Sequence, residues 1–387
     1  MAEGEGDERD VIEHYFHLGY TNEIILEFLK RFHYIKISLR TLKRRLRSFG
    51  LRRKGNIIDE GRIRAVIIRE LSGPGRLQGY RSMWHTLRIK YNLHVPRVVV
   101  ARLLREIDPS ASMQRRRRRL TRRQYFSYGP NFCWHVDGYD KLKGFGFPIH
   151  GAIDGYSRKI LWLKVTRSNN LPSVPAQYYV DCIKESDGCP VLLRTDCGTE
   201  NGIMAAAQCF FRQEGGDPYA GDRAHRYGSS PKNQRIENWW SFFRRGSSTW
   251  WIDFFNQMCD SELLDLGDEL QVECLWFCFS GVLQEHLDTV KFHWNTHRIR
   301  PSRHGTVPGI PNVLYHLPDH TGGIECKCPL PVSRLITEVE SVIGTADANI
   351  NIYQEYFMYV MQLGNLQIPN SLSRAFELYL HLMDASS

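Results

Sequence analysis

Residues 134–138 read Trp-His-Val-Asp-Gly, residues 194–201 read Arg-Thr-Asp-Cys-Gly-Thr-Glu-Asn, and residues 233–238 read Asn-Gln-Arg-Ile-Glu-Asn. The first two segments close short apolar runs that predict strands, whereas the third follows Ser-Ser-Pro and predicts a helix. Two strand ends and one helix therefore carry three carboxylates, Asp137, Asp196 and Glu237. Such a trio can hold two divalent metal ions about 4 Å apart, the arrangement used for in-line displacement at a phosphodiester.

The pattern around these segments predicts an α/β domain. Short apolar runs bounded by turn residues predict five strands, over residues 132–136, 147–153, 159–165, 190–195 and 223–227. Apolar residues at helical spacing predict helices over 172–185, 199–212 and 231–245, and one or two long helices within 269–297. Residues 154–157 are expected to form the hairpin turn between the second and third strands.

In this order, the three acidic segments resemble the D,D,E catalytic core of retroviral integrases and related DDE transposases. The resemblance covers residues 131–305, and residues 295–301 are similar to the Tyr-Asn-x-x-Arg-Pro-like segment that ends many integrase cores. It implies an α/β ribonuclease-H-like catalytic core, with a mixed five-stranded sheet and flanking helices. Between Asp196 and Glu237 lie 40 residues, more than in the retroviral pattern, and the excess fits a loop insertion at 214–221.

The resemblance also implies the chemistry of the site. Asp137, Asp196 and Glu237 would be both the catalytic and the metal-binding residues, with two Mg²⁺ or Mn²⁺ ions per active site, because hard cations prefer carboxylate oxygens. Asp140 and Asp154 are the alternative carboxylates, and both are expected to point elsewhere. Asp154 is more simply a turn residue, in a motif that resembles the Ile-Asp-x-Tyr-Ser-Arg hairpin of integrases.

The reaction implied is metal-dependent phosphodiester hydrolysis that frees a 3′-hydroxyl, followed by strand transfer into target DNA during DNA integration. A polynucleotidyl transferase or endonuclease of this class is encoded by a mobile element or derived from one. Two other functions remain open at this point. One is a domesticated, transposon-derived DNA-binding protein without transposition activity, and the other is a ribonuclease-H-like nuclease that only cleaves.

Positive charge is concentrated at the N-terminal end. Residues 1–125 contain 29 Lys and Arg against 13 Asp and Glu, although the net charge of the whole chain is only +9. Such a balance is typical of a surface that binds a polyanion. Residues 1–57 are predicted to form a helix-turn-helix-like module, in which a helix capped by Ser38 buries its leucines and presents Arg40, Lys43, Arg44 and Arg47 to DNA.

A second helical, helix-turn-helix-like module is predicted over residues 58–110. Its segment from Gly79 to Arg105 resembles the Gly-Tyr-Arg helix-turn-helix that precedes the catalytic core in some insertion-sequence transposases. Residues 111–130 are predicted to form an arginine-rich linker that contacts phosphates and doubles as a nuclear-import signal. Further DNA contacts are therefore expected at Arg115, Arg116, Arg117, Arg118 and Arg119, and at Lys232, Asn233 and Gln234 near the start of the Glu237 helix.

Other classes of protein are disfavoured by composition. The acidic N-terminus has no apolar signal segment, and no apolar stretch is long enough to cross a membrane. The first cysteine is Cys133, so the zinc module of retroviral integrases is absent and no structural zinc is expected. The expected partner is double-stranded DNA, both element ends and target, bound by a homo-oligomer in the nucleus, or in the cytoplasm or nucleoid of a prokaryote. Residues 306–387 form a predicted helical region without a diagnostic motif.

Overall fold

A computed structural model describes residues 3–52, 59–76, 78–108, 125–168, 170–228, 233–301, 306–330, 332–343 and 351–386. The chain divides into two compact units, Met1–Thr121 and Arg122–Ser387. The predicted arginine run, Arg115 to Arg119, lies outside the described residues, as does Lys232. No helix in the ranges given above combines the length and apolarity that a membrane crossing requires.

The described part of the N-terminal unit is helical throughout. Its helices are α1 (Glu3–His17), α2 (Asn22–Phe32), α3 (Leu39–Ser48), α4 (Glu60–Leu71), α5 (Tyr80–Tyr91) and α6 (Arg97–Ile107). Helix α3 begins where the Ser38 hydroxyl accepts a hydrogen bond from the Thr41 amide at 3.1 Å, which satisfies one of the free amides of the first turn. Leu42 and Leu46 of α3 are buried.

A buried arginine connects the first three helices of this unit, α1 to α3, with the next three, α4 to α6. Arg88 of α5 donates hydrogen bonds to the carbonyl oxygens of His17, at 3.1 Å, and Phe16, at 3.0 Å, at the end of α1. A Cβ at Gly19 would come within 3.1 Å of the Arg88 Nε, and the φ of Gly19 is +82°, so this position favours glycine for two reasons. Helices α4 to α6 pack their own apolar core around residues such as Ile67, Met83 and Leu103.

In the second unit a five-stranded mixed sheet forms the centre. Its strands are β1 (Cys133–Tyr139), β2 (Ile149–Asp154), β3 (Ile160–Val165), β4 (Leu192–Thr195) and β5 (His225–Tyr227). The spatial order is β3-β2-β1-β4-β5. The pairs β1–β2 and β2–β3 are antiparallel, whereas β1–β4 and β4–β5 are parallel. The predicted ribonuclease-H-like fold class, with helical flanks on both sides of the core in sequence, is confirmed.

Helices cover the sheet and extend the unit. They are α7 (Ser173–Ser186), α8 (Gly202–Phe211), α9 (Gln234–Phe243), α10 (Thr249–Asp260), α11 (Glu269–Thr296), α12 (Pro311–His316), α13 (Val332–Ile343), α14 (Ile352–Leu363) and α15 (Leu372–Asp384). Because side chains alternate along a strand, Trp134 and Val136 of β1 join the buried core with α7 and α8. The intervening residues face α9, as the ring contacts of Tyr139 with Trp240 and Phe243 show.

The long helix α11 is a single element, and it protects the edge strand β3. The Asn295 amide pairs with both backbone groups of Ile160: Oδ1 accepts from the amide at 2.8 Å and Nδ2 donates to the carbonyl at 2.9 Å. Three turns earlier, Gln284 accepts from Val165 N at 3.0 Å and donates to Leu163 O at 3.1 Å. Two side-chain amides thus take the place of a sixth strand along this edge, which prevents pairing with other chains.

Substituting Asn295→Ala should lower the free energy of unfolding of the second unit by about 2–4 kcal/mol, since each buried backbone group left without a partner costs about 1–3 kcal/mol. Denaturant unfolding followed by tryptophan fluorescence measures it, because eight of the nine tryptophans lie after residue 122. Glu285→Ala, at an exposed position of the same helix, is the control. Equal effects of the two substitutions would contradict this role for Asn295.

Candidate active site

Asp137 and Asp196 are brought together by the pairing of β1 with β4. The two strands are parallel, and His135 lies opposite Arg194. Continuing that register by two residues places Asp137 level with Asp196, which is the first residue after β4. The two carboxylates therefore lie side by side just beyond the paired residues of β1 and β4, while Asp137 stays inside β1 and opposite Gly151 of β2.

Glu237 reaches the same place from the first turn of α9. Trp240, three residues further along α9, donates a hydrogen bond from Nε1 to Asp137 Oδ2 at 3.0 Å. Its ring also lies over the neighbouring strand, since a Cβ at Gly151 would come within 2.9 Å of the Trp240 ring. The close approach of α9 to the sheet thus depends on glycine at 151, which is the residue opposite Asp137 in β2.

The three carboxylates act on one another electrostatically. Burial raises the pKa of Asp137 to about 8, and the negative charges of Glu237 and Asp196 raise it further, against a smaller lowering by the Trp240 hydrogen bond. Mutual repulsion in a partly buried site is what a divalent cation relieves. All three residues also keep part of their surface exposed, so that a ligand can reach them.

The donor set fits Mg²⁺ or Mn²⁺, which prefer oxygen ligands, since the site supplies three carboxylates. Within the part of the chain that the structure describes, however, no group of three or more His, Cys, Asp or Glu side chains is arranged to hold a metal ion. The carboxylates are therefore gathered within electrostatic reach but not closed around a common point. Binding of a cation would have to draw them together.

Asp196 has a positioning partner that the sequence analysis did not single out. Asn201 is buried, at 2% exposure, and its Nδ2 donates to Asp196 Oδ1 at 2.7 Å. The Gly198 amide approaches the same oxygen at 3.4 Å. Asn201 lies inside the segment 194–201 from which Asp196 was predicted, so the only available signal was its place in that segment.

The two alternative carboxylates have other partners. Asp140 is exposed and forms an ion pair with Lys143, at 3.6 Å. Asp154 is completely buried and accepts hydrogen bonds from the amide of Asn131, at 2.8 Å, and from the amide and hydroxyl of Ser157, each at 2.7 Å. It thus closes the β2–β3 hairpin, as a turn residue does.

The predicted DNA contacts fall into three groups. Arg40, Lys43, Arg44 and Arg47 are all exposed on α3, and Gln234 is partly exposed in the first turn of α9. Asn233 is different, because it is only 1% exposed. Its amide is bonded to Val136 O at 2.8 Å and to His135 Nδ1 at 2.7 Å. The hydrogen-bonding groups of the Asn233 side chain are therefore already used inside the protein, and its predicted contact with DNA stays a prediction.

Comparison with known families agrees with the fold. A family model described as Integrase core domain matches residues 125–317. That range contains the whole sheet and all three carboxylates. No curated protein matches the chain.

Substituting Asp137→Asn should stabilise the metal-free protein in a pH-dependent way. The folded-state pKa of Asp137 is raised from 3.8 to about 8, so its ionisation destabilises the folded state progressively as the pH rises through that window. With a chelator at pH 8, we expect a gain of about 1 kcal/mol or more in unfolding free energy, because one pKa unit corresponds to about 1.4 kcal/mol. The gain should become small near pH 4 and disappear below the unfolded-state pKa of 3.8, where Asp137 is protonated in both states.

Denaturant titrations at several pH values measure this difference. Asp140→Asn removes the same charge from an exposed position and is the control, for which no such pH-dependent gain is expected. A gain from Asp137→Asn that is constant from pH 4 to pH 8 would contradict the raised pKa of Asp137.

Proposed function

We propose that this protein acts as a DNA integrase or transposase. Residues 125–317 match an integrase core domain, which supports an integrase- or transposase-type function in general. The reaction is metal-dependent hydrolysis of a phosphodiester at the end of a DNA element, followed by transfer of the freed 3′-hydroxyl into target DNA. The observation that carries this proposal is the geometry of the three carboxylates. The parallel pairing of β1 with β4 sets Asp137 level with Asp196, and the Trp240 hydrogen bond to Asp137 brings the first turn of α9, which carries Glu237, to the same place.

Asp137, Asp196 and Glu237 would hold the two Mg²⁺ or Mn²⁺ ions. When bound, such ions neutralise charge at the phosphate and lower the pKa of the attacking water or hydroxyl. The protein itself prepares the ligands. Trp240 donates a hydrogen bond to Oδ2 of Asp137 and so orients that carboxylate, and Asn201 fixes the orientation of the Asp196 carboxylate.

The protonation state of Asp137 is expected to differ between the metal-free and the metal-bound site. With its pKa at about 8, the Asp137 carboxyl group is largely protonated at neutral pH while the site has no cation. To hold a divalent ion, Asp137 would have to release that proton to solvent, since ligands must be deprotonated. The site is therefore expected to bind metal more tightly as the pH rises towards 8.

DNA binding is assigned to the N-terminal unit, whose sequence includes Arg115 to Arg119. Support comes from the excess of 29 basic over 13 acidic residues before residue 126 and from the exposed basic face of α3. Arg115 to Arg119 would add phosphate contacts. Such binding should weaken steeply with salt, because each neutralised phosphate releases counterions.

Glu237→Gln should abolish most strand transfer while leaving DNA binding intact. The substitution keeps the size of the side chain but removes the charge that a divalent ion needs, and metal stabilisation is worth several kcal/mol, so a loss of at least about 100-fold is expected. The assay measures cleavage and joining of duplexes that carry the sequences flanking the gene, with Mg²⁺ or Mn²⁺, alongside gel-shift affinity.

Asp140→Asn is the matched control, because Asp140 is an exposed carboxylate just after β1 and should tolerate the change. If Glu237→Gln joins DNA as well as the unsubstituted protein, the assigned carboxylate is wrong. If the unsubstituted protein cleaves but never joins, a nuclease is the better account. If it binds DNA but neither cleaves nor joins it, a domesticated DNA-binding protein is the better account.

A pair of substitutions on α3 tests the DNA-binding face. Lys43→Ala with Arg44→Ala should weaken DNA binding about 10-fold or more and lower the slope of log affinity against log salt by about 2, since each phosphate contact contributes about 0.9. Lys30→Ala with Arg31→Ala removes the same charge from exposed positions of α2. Equal losses from the two pairs, measured by fluorescence anisotropy across a salt series, would show that only net charge matters and not the α3 face.

A further inference from the structure

A buried chain of hydrogen bonds ties the helix that carries Glu237 to the strand that carries Asp137. The Tyr125 hydroxyl lies 2.8 Å from His135 Nε2, and His135 Nδ1 lies 2.7 Å from Asn233 Oδ1. Asn233 Nδ2 donates to Val136 O at 2.8 Å. His135 and Asn233 are each 1% exposed, so neither the ring nor the amide exchanges these partners with water.

The direction of every hydrogen bond in this chain is fixed. A carbonyl oxygen only accepts, so Asn233 must donate Nδ2 to Val136 and turn Oδ1 towards His135. His135 must then carry its proton on Nδ1. In a neutral imidazole with its proton on Nδ1, Nε2 is an acceptor, and it accepts a hydrogen bond from the Tyr125 hydroxyl. Tyr125 therefore donates to His135, His135 donates to Asn233 and Asn233 donates to Val136, and no other set of donors and acceptors fits these contacts.

The two ends of this chain reach the proposed catalytic residues through the backbone. His135 and Val136 immediately precede Asp137 in β1. On the other side, the carbonyl oxygen of Asn233 accepts from the Glu237 amide at 3.3 Å, so Asn233 starts the turn of α9 that presents Glu237. The side chain of Asn233 caps no amide of its own helix, because it is used across the gap to β1.

The position of Tyr125 is fixed by close contacts with Gly155 and Arg235. A Cβ at Gly155 would lie 2.2 Å from the Tyr125 hydroxyl oxygen and 2.9 Å from Cys133 O, so the hydroxyl fits only because residue 155 is glycine. The guanidinium of Arg235, on α9, lies over the Tyr125 ring at 4.0 Å. The tyrosine thus contacts both the strand and the helix that the chain of hydrogen bonds connects.

We propose that Tyr125, His135 and Asn233 are positioning residues that set the separation of the Asp137 and Glu237 carboxylates. This inference rests on the proposed function. The inference goes beyond that function because it assigns a role to three side chains that are expected to contact neither metal nor DNA. Partners of this kind that orient ligands typically change metal affinity or activity by about 10–100-fold when removed.

Two substitutions separate positioning from stability. Tyr125→Phe removes only the hydroxyl and keeps the ring against Arg235. His135→Leu removes both hydrogen bonds of the imidazole. The matched control is His150→Leu, because His150 is also buried, at 2% exposure, and accepts one hydrogen bond, from Trp162 Nε1 at 3.0 Å. It lies on β2, and its ring packs against Trp162 of β3 and Tyr178 of α7.

The readouts on the full chain are Mn²⁺ affinity by electron paramagnetic resonance, without DNA, and kcat and KM for strand transfer. We expect His135→Leu to weaken Mn²⁺ binding and to lower kcat by about 10-fold or more, with KM for DNA unchanged, and Tyr125→Phe to have a smaller effect in the same direction. His150→Leu should lower stability and leave both Mn²⁺ affinity and kcat near those of the unsubstituted protein.

The outcomes distinguish this inference from the proposed function. If the unsubstituted protein joins DNA and His135→Leu behaves like His150→Leu, positioning is overturned and the function stands. If the unsubstituted protein binds Mn²⁺ but never cleaves or joins, weaker Mn²⁺ binding in His135→Leu alone still supports positioning, while the function fails. If the unsubstituted protein does not bind Mn²⁺ at all, both are overturned.

Discussion

The repulsion among three carboxylates is the constraint on which this site depends. Asp137, Asp196 and Glu237 come from two strands and one helix. Burial raises the pKa of Asp137 to about 8, and the negative charges of Glu237 and Asp196 contribute to that rise. Such a cluster of negative charges does not stabilise the folded state, so other contacts must hold the two strands and the helix together. Trp240 packed over Gly151 and Asn233 bonded to Val136 do so. The apolar and hydrogen-bonded contacts around the site therefore oppose its electrostatics, and a divalent cation would remove that conflict.

Much of the fold could be predicted from the sequence because its signals are local. Each predicted strand coincides with an observed one to within a few residues, since alternation and turn residues are read over a handful of positions. The carboxylates were also found locally, from the residues beside them. Whether they act as catalysts is a separate matter, and that part stays a prediction.

The contacts that sequence analysis missed join residues that are far apart in the chain. Asn233 is bonded to His135, 98 positions away, and Asn295 pairs with Ile160, 135 positions away. In the sequence, Asn233 looks like a polar residue at the start of a helix, which favours solvent or DNA. Only the packing of α9 against β1 shows that its amide is consumed inside the protein. Local patterns contain no information about such partners.

The central claim is that these three carboxylates hold a pair of divalent ions. It is tested most directly by a crystal structure of the protein soaked with Mn²⁺, with anomalous scattering recorded to locate the metal. The account predicts two anomalous peaks about 4 Å apart, ligated by Asp137, Asp196 and Glu237, with the Trp240 hydrogen bond to Asp137 retained. Mn²⁺ bound only elsewhere, or no peak between these carboxylates at saturating Mn²⁺ and pH 8, would contradict it.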